Sequence, residues 1–124
     1  MLGSYPAQGG PAIGGEGRRF RIYEMLDSIP EFKDKVAYHH FPVGAAPELP
    51  YIVYLTRGTD NFSADNKVYA EIEDIDIELY TKYKDPATEG LIKSALNEKG
   101  LFWNLDEDFL DSEQMYMVTF TIQI

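Results

Sequence analysis

The amino-acid sequence predicts an α+β fold, a small single domain with a mainly antiparallel sheet and two helices packed on it. Two segments space their apolar residues as one face of a helix does, and five others are β-prone, apolar or alternating, as strands are. The length of 124 residues suits one domain with one core. The predicted order along the chain is αβββαββ.

The first 19 residues differ from the rest of the chain. They hold six of the ten glycines and two of the seven prolines, and their apolar residues are isolated. This composition is typical of a flexible segment. The sequence therefore predicts a Gly/Pro-rich leader over residues 1–19 and a single α+β domain over residues 20–124.

The first helix is predicted over residues 20–29, where apolar side chains recur every three or four residues. Pro30 ends the pattern, because proline lacks the backbone N–H that a helix interior needs. The apolar stripe consists of Ile22, Met25, Leu26 and Ile29.

Three strands are predicted between the helices. Residues 36–41 are β-prone and end at Pro42, and residues 51–56 are apolar on both faces, which suits a strand covered on two sides. Residues 67–80 alternate, but the parity of the apolar positions changes at Glu73–Asp74. A strand with a β-bulge or a bend at that point has this pattern.

The second helix has clear local signals at both ends. Asp85 followed by Pro86 is an N-cap with proline at the first helical position, and Gly100 suits the left-handed residue that ends a helix. The rest of the chain is predicted as a short strand over 101–105, an acidic turn or one-turn helix over 106–113, and a long final strand over 115–124.

The apolar faces of these elements predict one shared core, because each helix stripe and each strand face must be covered by another element. The expected core residues are Ile22, Leu26, Val53, Leu55, Ile75, Ile77, Leu91, Ile92, Leu96, Val118 and Phe120.

Composition limits the possible partners. Eleven basic and 21 acidic residues give a net charge of −10, which opposes binding to phosphate backbones and to anionic membrane surfaces. The chain has no cysteine, which excludes disulfides and thiol nucleophiles. The longest apolar run has five residues, whereas a membrane-spanning helix needs about 20. We therefore expect no direct nucleic-acid binding and no membrane partner.

Candidate catalytic and metal-binding residues are few. His39 and His40 are the only histidines, and neighbours on a strand point to opposite faces, so we do not expect them to hold one metal ion together. The acids Asp106, Asp108 and Asp111 depart from the EF-hand calcium loop at its fifth and sixth positions. Motifs of serine hydrolases and zinc proteases are absent. The sequence therefore predicts no enzyme, no metal site and no cofactor.

A protein interface is the remaining candidate site. Residues 57–66 form a polar loop with one aromatic side chain, which suits recognition of another protein; an ordinary hairpin connection with Gly58 in the turn is the alternative. The acidic face of the strand that follows is expected to be solvated or to lie in an interface. The candidate interface residues are Arg57, Asp60, Asn61, Phe62, Asp65, Asn66, Glu71, Asp76 and Glu78.

Four sequence motifs follow one another in the middle of the chain. They are Ala37-Tyr38-His39-His40-Phe41, Pro50-Tyr51-Ile52-Val53-Tyr54, Ala64-Asp65-Asn66-Lys67-Val68-Tyr69, and Glu78-Leu79-Tyr80-Thr81 leading into Lys84-Asp85-Pro86. In order and spacing they resemble a family of small phage and prophage proteins of Gram-positive bacteria, the tail completion or tail terminator proteins of long-tailed phages. The resemblance continues to the end of the chain and does not cover residues 1–19.

The resemblance implies a structural role in the virion. Tail terminators form a ring, usually a hexamer, on the head-proximal end of the tail tube, where the ring stops tube growth and presents a surface to the neck. The implied partners are therefore further copies of the chain, the tail tube protein and a head-side neck protein. The implied location is the tail or neck of the virion, after assembly in the host cytoplasm.

Two other functions remain open at this point. A head-side neck protein, such as a stopper or adaptor, belongs to the same machine and is not separated from a terminator by sequence. An acidic inhibitor that mimics DNA belongs to a different class, because its carboxylates would take the place of phosphates. A ring is a large species in solution, whereas such a mimic stays a monomer or dimer.

Overall fold

The computed structural model describes residues 14–64 and 66–124. Two helices and seven strands lie in this part of the chain. They are α1 (Gly14–Asp27), a 3-10 turn (Pro30–Phe32), β1 (Val36–Tyr38), β2 (Tyr51–Thr59), β3 (Phe62–Ala64), β4 (Lys67–Ala70), β5 (Glu73–Thr81), α2 (Pro86–Glu98), β6 (Asn104–Leu110) and β7 (Met115–Gln123).

The main sheet has five strands in the order β1-β2-β5-β7-β6. Strands β1 and β2 are parallel, and the three other pairs are antiparallel. Strands β3 and β4 form a separate antiparallel pair between β2 and β5. The predicted α+β class is confirmed: a small single domain whose mainly antiparallel sheet carries two helices.

Both helices contribute to one core on one face of the main sheet. Eight of the eleven predicted core residues lie in this core, and Leu91 packs against it. The placement of Val53 and Leu55 in the core was wrong: both lie on the opposite face of the sheet, where Val53 is buried and Leu55 is partly buried. Tyr54 and Phe32, which the sequence analysis left out, are fully buried. The core residues are Ile22, Met25, Leu26, Phe32, Val36, Ile52, Tyr54, Ile75, Ile77, Leu79, Ile92, Leu96, Val118, Phe120 and Ile122.

The first helix begins earlier than predicted. Helix α1 starts at Gly14 and ends at Asp27. The helix predicted over 20–29 therefore exists, but its predicted bounds and the predicted leader boundary at residue 19 are wrong; residues 1–13 lie outside the described range. Glycines disfavour a helix interior, but two ion pairs hold this part of α1 to the sheet. Arg19 Nη1 lies 2.6 Å from Glu73 Oε1, and Arg18 Nη2 lies 3.7 Å from Glu73 Oε2.

The predicted strand over residues 67–80 is two strands. Strand β4 ends at Ala70 and β5 begins at Glu73, and they belong to different sheets. The parity change therefore marks the boundary between two strands of different sheets and not a bulge within one strand. The register shift lies on the neighbouring strand β2 instead, between Thr56 and Gly58.

The predicted ends of the second helix are confirmed, but the predictions for the segment after it are not. The Asp85 side chain accepts a hydrogen bond from Thr88 N at 3.1 Å, and Gly100 has a φ of 71°. The predicted strand over 101–105 and the predicted acidic turn over 106–113 are wrong. Strand β6 covers Asn104–Leu110 and pairs with β7, since backbone pairing outweighs the poor strand propensity of its acids.

We predict that Leu96→Ala lowers the free energy of unfolding by about 2–5 kcal/mol, because it empties a fully buried site in the core. Urea denaturation measures the change. The matched control is Ser94→Ala on the exposed side of α2, which should stay within about 0.5 kcal/mol of the wild type. Equal stability of both variants would show that α2 is not docked on the sheet.

We also predict that Glu73→Ala destabilises the protein by about 3–5 kcal/mol, because it removes the buried carboxylate that joins Arg19 of α1 to the sheet. Glu73 has only 2% of its side chain exposed, whereas Glu71 has 50%. Glu71→Ala is therefore the control and should cost less than about 1 kcal/mol. Similar losses in chemical denaturation would contradict a special role for Glu73.

Candidate interaction surface

The face of the main sheet opposite the core carries both apolar and acidic residues and is called here the helix-free face. Ala37 and Val53 are buried there, and the other strand residues are partly or fully exposed. Besides Ala37 on β1, the face consists of Tyr51, Val53, Leu55 and Arg57 on β2, Asp74, Asp76, Glu78 and Tyr80 on β5, Asn104, Asp106, Asp108 and Leu110 on β6, and Met115, Met117, Thr119, Thr121 and Gln123 on β7.

Negative charge dominates the helix-free face. Five carboxylates lie on it, at Asp74, Asp76, Glu78, Asp106 and Asp108, against one basic strand residue, Arg57. The face therefore carries a formal charge of −4. Such a surface favours a partner with complementary positive charge over a second acidic surface.

Arg57 is held within its own chain. Its Nε donates to Asp76 Oδ1 at 3.1 Å, and Thr121 Oγ1 donates to the same oxygen at 3.1 Å. The Arg57 side chain is half exposed, so this ion pair contributes little to stability. It does hold the guanidinium over β5, where it offsets part of the acidic charge.

At one end of the helix-free face, Tyr51 of β2 pairs with Tyr80 of β5. The rings of Tyr51 and Tyr80 lie 5.1 Å apart, and the Tyr80 hydroxyl donates to Glu78 Oε1 at 2.7 Å. Burial raises the pKa of Tyr80 well above its ordinary value, and the hydrogen bond and charge of Glu78 raise this pKa further. Burial also raises the pKa of Tyr51, with a smaller effect of the Glu113 charge. Both phenols are therefore kept protonated and able to donate.

The structure brings three of the predicted interface residues together. Arg57, Asp76 and Glu78 share the helix-free face. Glu71 does not join them, because its carboxylate and backbone oxygen lie beside Arg18 of α1. Asp76 and Glu78 therefore share one face, as the alternation predicted, whereas the placement of Glu71 on it was wrong; a role of this face in an interface stays a prediction.

The predicted polar loop over residues 57–66 is mostly strand. Asp60 N donates to Ile72 O at 2.8 Å, and Asn61 Oδ1 accepts from Ile72 N at 3.3 Å, so both residues anchor the base of the β3–β4 hairpin. Phe62 begins β3, and Asn66, with a φ of 64°, lies in the turn before β4. Asp65 lies outside the described residues.

The histidines are placed differently from the prediction. His39 follows the last residue of β1 and has a φ of 70°, so the chain turns there instead of continuing as a strand. As a result, the Nδ1 atoms of His39 and His40 lie 3.0 Å apart, on the same side of the chain. Both side chains are exposed, and a single shared hydrogen bond accounts for their contact.

Sequence reasoning missed an ion cluster that joins α2 to β6. Lys84 Nζ lies 2.8 Å from Glu89 Oε2 and 2.5 Å from Glu107 Oε1, and the Glu89 side chain is buried. Hydrogen bonds to Glu107 and then to Glu89 raise the pKa of Lys84. The sequence carries no local signal for this contact, because Glu107 is 23 residues from Lys84.

Sequence reasoning also missed the apolar part of the helix-free face. Tyr51, Leu55 and Met117 lie on it and are partly exposed. For Met117 the sequence does carry a signal: in the final strand, Met115 and Met117 occupy the positions that alternate with the core residues.

Within residues 14–64 and 66–124, no three His, Asp or Glu side chains converge as they would around a metal ion. Neither of the two described helices is long and apolar enough to cross a membrane.

No protein-family model matches the chain, and no curated protein matches it.

We predict that Tyr80 makes stability fall with pH above the ordinary tyrosine pKa of about 10. The folded state keeps its proton because the pKa is raised, whereas the unfolded state loses it, so unfolding is favoured as pH rises. Below that pH the contribution of Tyr80 is fully present.

Denaturation of the wild type and of Tyr80→Phe on both sides of that pH measures the effect. The variant should lose less stability on going to alkaline pH than the wild type does. An identical pH dependence of the two proteins would contradict the prediction.

Proposed function

We propose that this protein is a structural virion protein, a tail terminator that caps the head-proximal end of a phage tail tube and joins it to the neck. The observation that carries the proposal is the division of the sheet into two faces. One face is closed by both helices, and the other presents Tyr51, Leu55 and Met117 beside a row of carboxylates. Together with the sequence resemblance, an exposed mixed surface of this kind supports a role in binding proteins.

A subunit of a terminator ring needs several different binding surfaces. Each subunit of a ring needs two different patches for its two neighbours, and a terminator needs further surfaces for the tube and the neck. We assign the helix-free face and the separate β3–β4 hairpin, which lies outside the main sheet, to these further surfaces. The proposed partners are copies of the chain in a ring, a hexamer as the resemblance implies, together with the tail tube protein and a head-side neck protein.

The arrangement of carboxylates favours this function over mimicry of DNA. Asp76 accepts from Arg57 and Thr121, and Glu78 accepts from Tyr80, so two of the carboxylates on β5 have partners in their own chain. A phosphate mimic needs free carboxylates to meet a basic protein. A head-side neck protein uses the same kinds of surface, and the experiment below separates it from a terminator.

Electron microscopy of particles from a phage lacking this gene tests the proposal. A missing terminator leaves tubes of uncontrolled length without heads, and supplying the wild-type chain restores tails of normal length. Tails of normal length that fail to join heads would assign the protein to the head side and contradict termination. Normal virions would exclude both roles.

We predict that Arg57→Glu weakens capping of tubes and leaves the fold intact. The change removes the one basic strand residue of the helix-free face, the group there that can pair with a carboxylate of a partner, and its ion pair with Asp76 is half exposed, so the loss of stability should stay below about 1 kcal/mol. Lys33→Glu, which also removes an exposed ion pair, that with Asp27, makes the same change in net charge away from this face and is the control.

Complementation of the deleted phage measures tail joining, and circular dichroism checks the fold. If Arg57→Glu complements as well as Lys33→Glu does, Arg57 does not lie in a working interface.

A further inference from the structure

The two ends of the main sheet differ in charge. At one end β5 begins and β7 finishes, so Asp74 pairs with Gln123; at the other end β5 finishes and β7 begins, so Thr81 pairs with Tyr116. The turn between β6 and β7, at Asp111–Gln114, lies at this second end. Residues at these two ends therefore lie on opposite sides of the molecule, a full strand length apart.

The first end carries a groove with an apolar floor and a basic rim, called here the basic groove. It has a volume of about 250 Å³ and lies between α1, the segment after α2 and the end of β7. The rim consists of Arg18, Arg21 and Lys99, and the floor consists of Ile22, Met25, Leu101 and Ile124. Three basic side chains around one groove stand out in a chain with 11 basic and 21 acidic residues.

Two of these basic side chains remain available to a partner. Arg18 lies beside Glu71 and Glu73, whereas Arg21 and Lys99 are exposed and form no ion pair among the described residues. Arg21 and Lys99 also line a neighbouring depression together with Glu24 and Glu98, so these two acids offset part of the positive charge there, whereas no acidic side chain of the described residues lines the groove itself.

The second end carries an acidic hairpin with an exposed aromatic residue, called here the acidic hairpin. It consists of the turn with the adjoining end of β6, where Asp108, Asp111 and Glu113 are exposed. Phe109 has 43% of its surface exposed, and its ring packs edge-on against Tyr116 at 4.9 Å between centroids. Aromatic side chains that are partly supported by neighbours are typical anchors of protein interfaces.

We propose that the acidic hairpin of one copy docks in the basic groove of the next copy, head to tail. Acidic side chains of the hairpin face Arg21 and Lys99, and Phe109 contacts the apolar floor. The two surfaces lie at opposite ends of the molecule, so one chain cannot satisfy its own groove, and repetition of the contact gives a ring or a filament. This inference rests on the proposed terminator function for its choice of a second copy as the partner.

Local complementarity overcomes the repulsion between two chains of charge −10. Exposed charges interact over a Debye length of about 8 Å at physiological salt, so the charges within the contact decide its sign. Opposed potentials of this kind also fix the orientation of two partners.

Charge reversal tests the contact. Sedimentation velocity compares the wild type with a groove variant, Arg21→Glu/Lys99→Glu, and a hairpin variant, Asp111→Lys/Glu113→Lys. Each variant alone should weaken self-association by about tenfold or more, because like charges then meet. The variant that combines all four changes, and an equimolar mixture of the two double variants, should both recover association.

A control variant with the same change in net charge distinguishes the loss of a local contact from a general increase in repulsion between the chains. Lys67→Glu/Lys82→Glu alters the net charge as the groove variant does, but at exposed positions outside the groove. This control should not weaken association. Equal weakening by the control, or no recovery in the combined variant, would overturn the proposal.

Crosslinking tests the head-to-tail direction, because the chain has no cysteine of its own. The proteins Arg21→Cys and Asp111→Cys are treated with a bismaleimide. Neither alone should form covalent dimers, their mixture should form them, and a chain with both changes should form a ladder. Dimers of Arg21→Cys alone would mean that groove meets groove, and no product in any sample would exclude the contact; either result overturns the proposal.

The same variants distinguish failure of this inference from failure of the proposed function. If the wild type caps tubes and the groove and hairpin variants cap them equally well, the contact is wrong and the terminator function stands. If association follows the charge reversals but the wild type does not cap tubes, the contact stands and the function is wrong. If the groove variant alters only the protease sensitivity of residues 1–13, the groove holds that segment of its own chain and the proposal is wrong.

Discussion

The buried carboxylate of Glu73 is the contact on which the arrangement of this domain depends. Its Oε1 accepts from Arg19 of α1 at 2.6 Å and from Thr56 of β2 at 3.0 Å. Its backbone N–H and carbonyl both pair with Ile124 at the end of β7. One residue therefore joins α1 to three neighbouring strands, and a charge with 2% exposure is tolerated there because cations and a hydroxyl surround it.

The surfaces that we assign to binding follow from that contact. With α1 held to the start of β5, Arg18 and Arg21 come next to Lys99 and Leu101 after α2, which forms the basic groove. With both helices on one face, the carboxylates and tyrosines of the opposite face of the sheet stay partly or fully exposed. A domain of this size thus presents several chemically different surfaces, which is what membership of a protein assembly requires of a small subunit.

The candidate site was only partly predictable. Asp76 and Glu78 follow from strand alternation, which places every second residue on one face, and the structure confirms it. The contact between Arg57 and Asp76 depends on the register of β2 against β5, and the basic groove joins residues about 80 positions apart in the chain, from Arg18 to Lys99. The pairing of His39 with His40 depends on a left-handed backbone at His39, which is uncommon for residues other than glycine.

The sequence by itself determined the fold class, most of the core and both ends of α2, because these depend on short-range signals. The side chain of Asp85 reaches a backbone N–H only three residues away, and Gly100 meets a local backbone requirement. The tertiary structure alone decided that glycines would extend α1 to Gly14 and that the acids of Asn104–Leu110 would form an edge strand. In both places local propensity opposes the outcome, and distant partners, Glu73 for α1 and β7 for β6, outweigh it.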